Sequence, residues 1–493
     1  MDSPLGIAMH RVLRLVVPIL LAISVVAAIA ACATNPATGK KDLVLMTEEQ
    51  EIALGRETDP KIRKQYGAYD NAALQAYVQR VGEQVAANSD RRNLVYRFTV
   101  LDSSEVNAFA LPGGYIYITR GILAYLNSEA ELAAVLGHEA GHVNARHAVK
   151  QYTRATATGL AISIIGGGQA GQQLLGVLGN AILSGYGRDD ELQADHLGAT
   201  YIGRTGYDPQ AMLGVMTVLK NQEEGEKKRA AAEGREPHIY HGVFASHPSA
   251  DKRLQEVIAE AGNARTGANA RVGHEEYLKQ IDGMVFGDGG HDGVRRGSAF
   301  YHRDLNIGVN FPNGWRLENT PGAVNAYAPG KEALIQMVVD DLNKHVTPQE
   351  YLHTHIKANG FADERPVDGS ALASTAATAR LNTPFGARNT RVMVLIQHNR
   401  AFMLFGTAKD DDTFRRLDPA FLATARSVHA LADNERKIAG GLHLRLIKAQ
   451  PGDTFAVLAK RSPVSDYAEL ALRLINDKLN GEPTPGETIK MVE

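Results

Sequence analysis

Apolar and polar positions along the chain change period several times. Residues 46–87 read as helical: "TEEQE" opens a first helix, and "DNAALQAYVQRVGEQVA" carries apolar residues at helical spacing. "LVYRFTVLD" (Leu94–Asp102) alternates as a strand does. "NAFALPGGYIYITRGIL" (Asn107–Leu123) sets a Pro-Gly-Gly turn before a strand rich in Tyr, Ile and Thr. That strand is either a core strand or one that pairs with an extended peptide. From Ser128 to His147 the spacing predicts one helix, with Ser128 as N-cap and Glu131 as the third residue of a capping box.

The next stretch, Ala155–Tyr186, is apolar and rich in Gly and Ala. "GGGQAGQQ" (Gly166–Gln173) interrupts it and leaves pieces too short to cross a bilayer, so helices packed beside the preceding helix are expected. A further helix follows across Asp189–Arg204. "NQEEGEKKRAAAEGREP" (Asn221–Pro237) is a loop or a solvated helix extension, and "HPSADKRLQEVIAEA" (His247–Ala261) begins another helix. "GDGGHDGVRRG" (Gly287–Gly297) reads as a linker. Beyond it, Leu305–Leu431 mixes strand-like and helical runs, as a separate α+β domain does, and "FPNGW" (Phe311–Trp315) serves its core. The last piece, with "GDT" at Gly452–Thr454, "IN" at Ile475–Asn476 and a closing strand, loosely resembles a LysM-type β-α-α-β module.

Composition narrows the class. A chain of 493 residues is too long for one core, and 44% hydrophobic with 22% charged residues is ordinary for a folded protein. A formal net charge of −2 gives no electrostatic reason to expect nucleic acid. A single cysteine, Cys32, excludes an internal disulfide framework. Its setting supplies another role. Arg11 and Arg14 precede an apolar run, Leu15–Ala28, and "IAAC" (Ile29–Cys32) follows; these are the parts of an export signal. Small residues before a cysteine resemble the lipobox of bacterial lipoproteins, in which Cys32 becomes the lipid-modified first mature residue. Pro18 and the short run argue against an uncleaved anchor. Ala33, rather than Asp, resembles sorting to the outer membrane, facing the periplasm.

The chemistry gathers at "VLGHEAGHVNARH" (Val135–His147). Residues four apart on a helix lie about 40° apart around its axis, so His138 and His142 project from one face and can share one Zn²⁺. Glu139, beside the first ligand, is placed to act as general base on a water. A third ligand is needed. One class places a histidine shortly afterwards, but Ala145 and Ala148 occupy the matching positions. His147, five residues past His142, lies about 140° away around the helix, which suits packing or support better than ligation. The other class takes a glutamate from a later helix. "GYGRDDELQADHLGATYIG" (Gly185–Gly203) offers Glu191, with Asp195 one turn on to hold His142 in the right tautomer or to donate a proton.

Four motifs in order, "NAFALPGGYIYITRGIL", "LGHEAGHVNARH", "ELQADHLG" and "SHPSADKR", resemble the zinc metalloendopeptidase family of the CAAX prenyl protease, HtpX, BepA and LoiP. The resemblance spans about Lys41–Ala261. It implies one zinc per chain on His138, His142 and Glu191, Glu139 as base, and a supporting or proton-donating Asp195. His247, in "SHP", and Arg253 are further candidates, the first as a fourth ligand or oxyanion partner, the second as a clamp on substrate or on Asp195. No period of about 34 residues follows, so a helical-repeat partner domain is unsupported.

The expected fold class is therefore α+β and multidomain. Residues 1–31 are read as a lipoprotein signal peptide and 32–45 as a tether. A mainly helical zincin-type (gluzincin) protease domain with a small sheet covers 46–286. A linker (287–297), an α+β domain (298–432) and a LysM-like module (441–493) follow. The expected activity is zinc-dependent hydrolysis of unfolded or misfolded envelope proteins by a lipid-anchored periplasmic enzyme. Peptidoglycan contact through the last module, and a non-proteolytic chaperone or assembly scaffold, are the alternatives carried with it.

Overall fold

The structure, a computed structural model, describes residues 32–37, 39, 41–44, 46–157, 186–233, 237, 270–289, 293–320, 322–464 and 466–493. The signal-peptide stretch, most of Ala155–Tyr186, and His247 and Arg253 lie outside the described residues. Strand β1 (Cys32–Thr34) pairs antiparallel with β2 (Lys41–Leu43), so the stretch read as a tether carries a short hairpin. Helix α1 (Glu48–Tyr66) is closed by a full capping box: the Thr47 hydroxyl accepts from the Gln50 N–H, and the Gln50 side chain accepts from the Thr47 N–H. Helix α2 (Ala72–Ala86) buries Leu74, Tyr77, Val78, Val81 and Val85 at helical spacing.

Strands β3 (Arg97–Leu101), β4 (Ala108–Leu111) and β5 (Tyr115–Thr119) form a sheet in the order β3-β5-β4. The Tyr- and Ile-rich β5 pairs parallel with β3 and antiparallel with β4, so both its edges are taken and it is a core strand. Of this sheet, β4 keeps an unpaired edge among the described residues.

After helix α3 (Arg120–Tyr125) comes helix α4 (Glu129–Asn144), which bears the histidines. Ser128 caps it, accepting from the Glu131 N–H. The Glu131 carboxylate reaches past Ser128 and accepts from the Asn127 N–H at 2.6 Å, so the reciprocal half of the expected capping box falls one residue early. Every residue of α4 except Glu131 is buried. The helix ends at Asn144, short of the expected His147: Arg146 has a left-handed φ of 56°, and α5 (His147–Ala157) starts a new axis.

Helix α6 (Arg188–Arg204) runs antiparallel along α4 at close range. A Cβ on Gly198 would sit 2.9 Å from the His138 nitrogen, and one on Gly141 would sit 2.9 Å from the Ala194 carbonyl, so this approach requires glycine on both helices. Helix α7 (Ala211–Ala232) continues through the charged run as a regular helix, and α8 (His274–Ile281) precedes β6 (Val285–Phe286).

The chain then builds a second core. Strands β7 (Val294–Arg296), β8 (Ala299–His302) and β9 (Ile307–Asn310) form a small antiparallel sheet, β7 falling within the stretch read as a linker. Seven further strands make one antiparallel sheet: β10 (Arg316–Thr320), β11 (Ala323–Tyr327), β12 (Ala333–Asp341), β13 (Ala362–Arg365), β14 (Ala373–Thr383), β15 (Gly386–Gln397) and β16 (Arg400–Ala408), ordered 10-11-12-16-15-14-13. Its faces are covered by α9 (Pro348–His355), against Val392, Val394 and Met403, and by α10 (Asp411–Arg426), against Met393, Leu395 and Leu404. The alternation along β15 and β16 puts these two sets on opposite faces.

After α11 (Asp433–Ile438) the chain returns to the first core. Strand β17 (Leu442–Lys448), helices α12 (Phe455–Ala459) and α13 (Ala468–Ile475), and β18 (Thr488–Val492) give the order β-α-α-β. Strand β17 pairs with β18 on one side and with β6 on the other. Leu444, Phe455, Leu472 and Ile489 join the cluster that holds Val135 and Leu136 of α4. This C-terminal piece thus packs into the first core. Among the described residues no helix is long and apolar enough to cross a membrane.

Candidate metal centre

Helix α4 presents His138 and His142 on one face, with their Nε2 atoms 2.9 Å apart. Glu191 arrives from α6, its Oε2 3.5 Å from His138 Nε2 and its Oε1 3.7 Å from His142 Nε2. The three ligand atoms lie within 4.8 Å of one another and all three residues are buried. Zinc bound tetrahedrally at about 2.0–2.2 Å sets its ligand atoms roughly 3.3 Å apart, and the observed spacings bracket that value. The donor set fits the metal.

Protonation supports the fit. Asp195 Oδ1 accepts from His138 Nδ1 at 2.8 Å, which leaves the His138 Nε2 lone pair facing the site. Sequence spacing suggested that Asp195 holds His142; it holds His138. The reason is the antiparallel run of α6, on which a later residue meets an earlier turn of α4. Completely buried behind His138, Asp195 is placed to orient that ring. His142 turns its Nδ1 to His147 Nδ1 at 2.9 Å, a contact made available by the break at Arg146.

Glu139 lies between the ligands and is 2% exposed, and its Oε1 is a buried oxygen with no hydrogen-bond partner among the described residues. Burial, then the neighbouring Glu191 carboxylate, pushes its carboxyl well above the ordinary range. Two buried carboxylates beside two imidazole lone pairs form a site that a cation completes. Burial also pushes His147 down to about 4, keeping that ring neutral near pH 7.

Several participants were not singled out in the sequence. The Tyr186 ring stacks on His142 at 4.2 Å and 24°. Gln193 and Asp190 stand 2.9 and 3.4 Å from His147 Nε2. A buried ion cluster seals the end of α4: Glu51 binds Arg91 at 2.8 Å and Arg146 at 2.9 Å, while the Arg91 N–H donates to the Asn144 side chain. A cleft lined by Leu111, Pro112, His142, Val149 and Tyr186 opens between the end of β4 and the ligands. Cys32 contributes its backbone to β1.

A buried His-His-Glu set beside a buried glutamate is the donor arrangement of a zinc peptidase centre, and the comparisons with known proteins point the same way. Residues 72–261 match the model for Peptidase family M48, a family of metalloproteases that use zinc. The chain is 28% identical over 256 residues to the Beta-barrel assembly-enhancing protease of Yersinia pestis, covering 49% of this chain and 50% of that one. It is 31% identical over 184 residues to the Mitochondrial metalloendopeptidase OMA1 of Schizosaccharomyces pombe, covering 37% and 51%. Over 166 residues it is 28% identical to Metalloprotease YcaL of Escherichia coli, covering 32% and 60%. The chain thus spans about half the length of the first of these relatives.

Proposed function

We propose that the chain is a zinc-dependent metalloendopeptidase of the bacterial cell envelope that hydrolyses peptide bonds in misfolded envelope proteins. The observation that carries the reading is the buried Glu139 Oε1, without a partner among the described residues, beside the His138, His142 and Glu191 ligand set. Bound there, zinc would supply a Lewis acid and a water of lowered pKa. Glu139 takes the water's proton at Oε1 and returns it to the leaving amine. Asp195 holds His138 in the ligating tautomer throughout. The unpaired edge of β4, beside the cleft at His142, is the place for an extended polypeptide.

Within this reading the protease domain, of zincin (gluzincin) type, comprises 46–286. His247 and Arg253 remain active-site candidates, as oxyanion partner or fourth ligand and as clamp. Export, lipidation at Cys32 and outer-membrane anchoring facing the periplasm rest on the N-terminal sequence. The β-α-α-β piece at 441–493 is LysM-like in element order, and the 298–432 domain has no assigned role. Quality control is favoured by the relative named for enhancing β-barrel assembly.

The test is cleavage of an unfolded reporter protein by the zinc-loaded full chain and by E139Q. Cutting by the wild type and none by E139Q is expected. A wild type that never cuts, or an E139Q that cuts as well, overturns the reading. Cellular function that survives E139Q would favour the scaffold alternative.

A further inference from the structure

We propose that His147 is a positioning residue for the metal, presenting His142 to zinc through an imidazole-to-imidazole hydrogen bond. The inference rests on the metal site above. Its first support is the chain break. On a continuous helix His147 would lie about 140° from His142, unable to reach it. Here Arg146 adopts φ 56°, and its guanidinium is held in that turn by Glu51 Oε2 at 2.9 Å and by the Met46 carbonyl at 2.8 Å. A left-handed arginine is a strained residue that persists where surroundings fix it. The turn it makes brings the His147 ring behind His142.

The second support is proton bookkeeping. His147 Nε2 faces two oxygens, Gln193 Oε1 at 2.9 Å and Asp190 Oδ1 at 3.4 Å. Both oxygens accept, so Nε2 carries a hydrogen, and a His142 that offers its Nε2 to the metal carries its own hydrogen on Nδ1, which leaves His147 Nδ1 to meet it with a lone pair. That lone pair accepts from His142 Nδ1–H at 2.9 Å. His142 then has its own lone pair on Nε2, the atom facing His138 Nε2 and Glu191. Each ring has one tautomer that satisfies its Nδ1 partner, and it is the ligating one. Tyr186, stacked on the His142 face, restrains the remaining tilt of the ring. The two ligands are therefore oriented differently: a carboxylate holds His138 and an imidazole holds His142.

The experiment measures zinc affinity of the full chain, with zinc alone competed against a chelating dye, for wild type, H147L and H147N. Asn places an amide oxygen where the ring Nδ1 stands and keeps the acceptor; Leu fills space without one. H147L is expected to bind zinc about 10–100-fold more weakly, with H147N within about threefold of wild type. Equal affinity in all three, or an equal loss in H147L and H147N, overturns the proposal. Should H147L fail to fold, H147Q, whose oxygen stands elsewhere, takes its place against H147N, and equal affinities again overturn it. Affinity rather than turnover is read, so a chain that shows this dependence yet cuts nothing refutes the peptidase reading alone.

Discussion

Lys490 on β18 donates its ammonium to the carbonyl of Leu126 at 2.8 Å, and to that of Ala124 at the same distance, on the approach to the ligand-bearing helix. Strand β18 is thereby fastened to the entrance of α4, next to Glu131, whose carboxyl burial pushes up to about 7. Burial brings the lysine down to about 7, with Glu131 and Asp477 opposing that shift.

From this follows a pH dependence with a definite sign. The unfolded chain holds the Lys490 proton up to its ordinary value of 10.5, whereas the folded chain releases it near 7. Between those values the unfolded state binds more protons, so the contribution of this residue to stability grows as pH rises. K490M leaves two buried carbonyls unpaired, at about 1–3 kcal/mol each. The stability gap between wild type and K490M, measured by denaturant titration, should widen from pH 7 to pH 9. The slope should be at most about 1.4 kcal/mol per pH unit. A gap that narrows would contradict the assignment.

The Glu51 cluster should be among the costliest in the chain to break. Glu51→Ala leaves Arg91 and Arg146 buried without their shared carboxylate, and a loss of about 3–5 kcal/mol is expected. Because Arg146 then loses part of what holds its turn, zinc affinity should fall too. Unfolding curves and metal titration check the two effects separately, and unchanged affinity in a destabilised variant would detach the turn from the metal site.

Gly198→Ala tests the helix pairing. The added methyl meets backbone at 2.9 Å on the His138 side, where no flexible side chain can yield. Overpacking of this kind costs about 1–3 kcal/mol, and pushing α6 outward moves Glu191 and Asp195 together. Weaker zinc binding alongside a lowered Tm is the expected pair of results. A variant as stable as wild type would place the helices further apart than described.

Asp195→Asn keeps the size of the side chain but weakens the acceptor behind His138. Zinc affinity should drop by about 10–100-fold with little change in fold, as read by chelator competition and circular dichroism. Affinity equal to wild type would leave Asp195 without an orienting role.

Much of the site was legible because helical geometry is local. His138, Glu139 and His142 follow from spacing on one helix, and Glu191 from a second acidic helix downstream. What spacing does not carry is how the two helices run past each other, and this is why Asp195 was matched with His142 instead of His138. The break at Arg146 was equally hidden. An arginine at positive φ has no signature of its own, and the Glu51 that holds it stands far off in the chain. The same holds for the C-terminal piece: its element order can be read locally, but its place in the first core depends on long-range contacts such as that of Lys490 with Leu126.

The most direct measurement is the zinc content of the purified full chain beside that of Glu191→Ala. One zinc per wild-type chain is expected, with a large loss in the variant, since the two histidines alone leave a catalytic site one ligand short. Equal zinc in both proteins would remove Glu191 from the site and contradict the account.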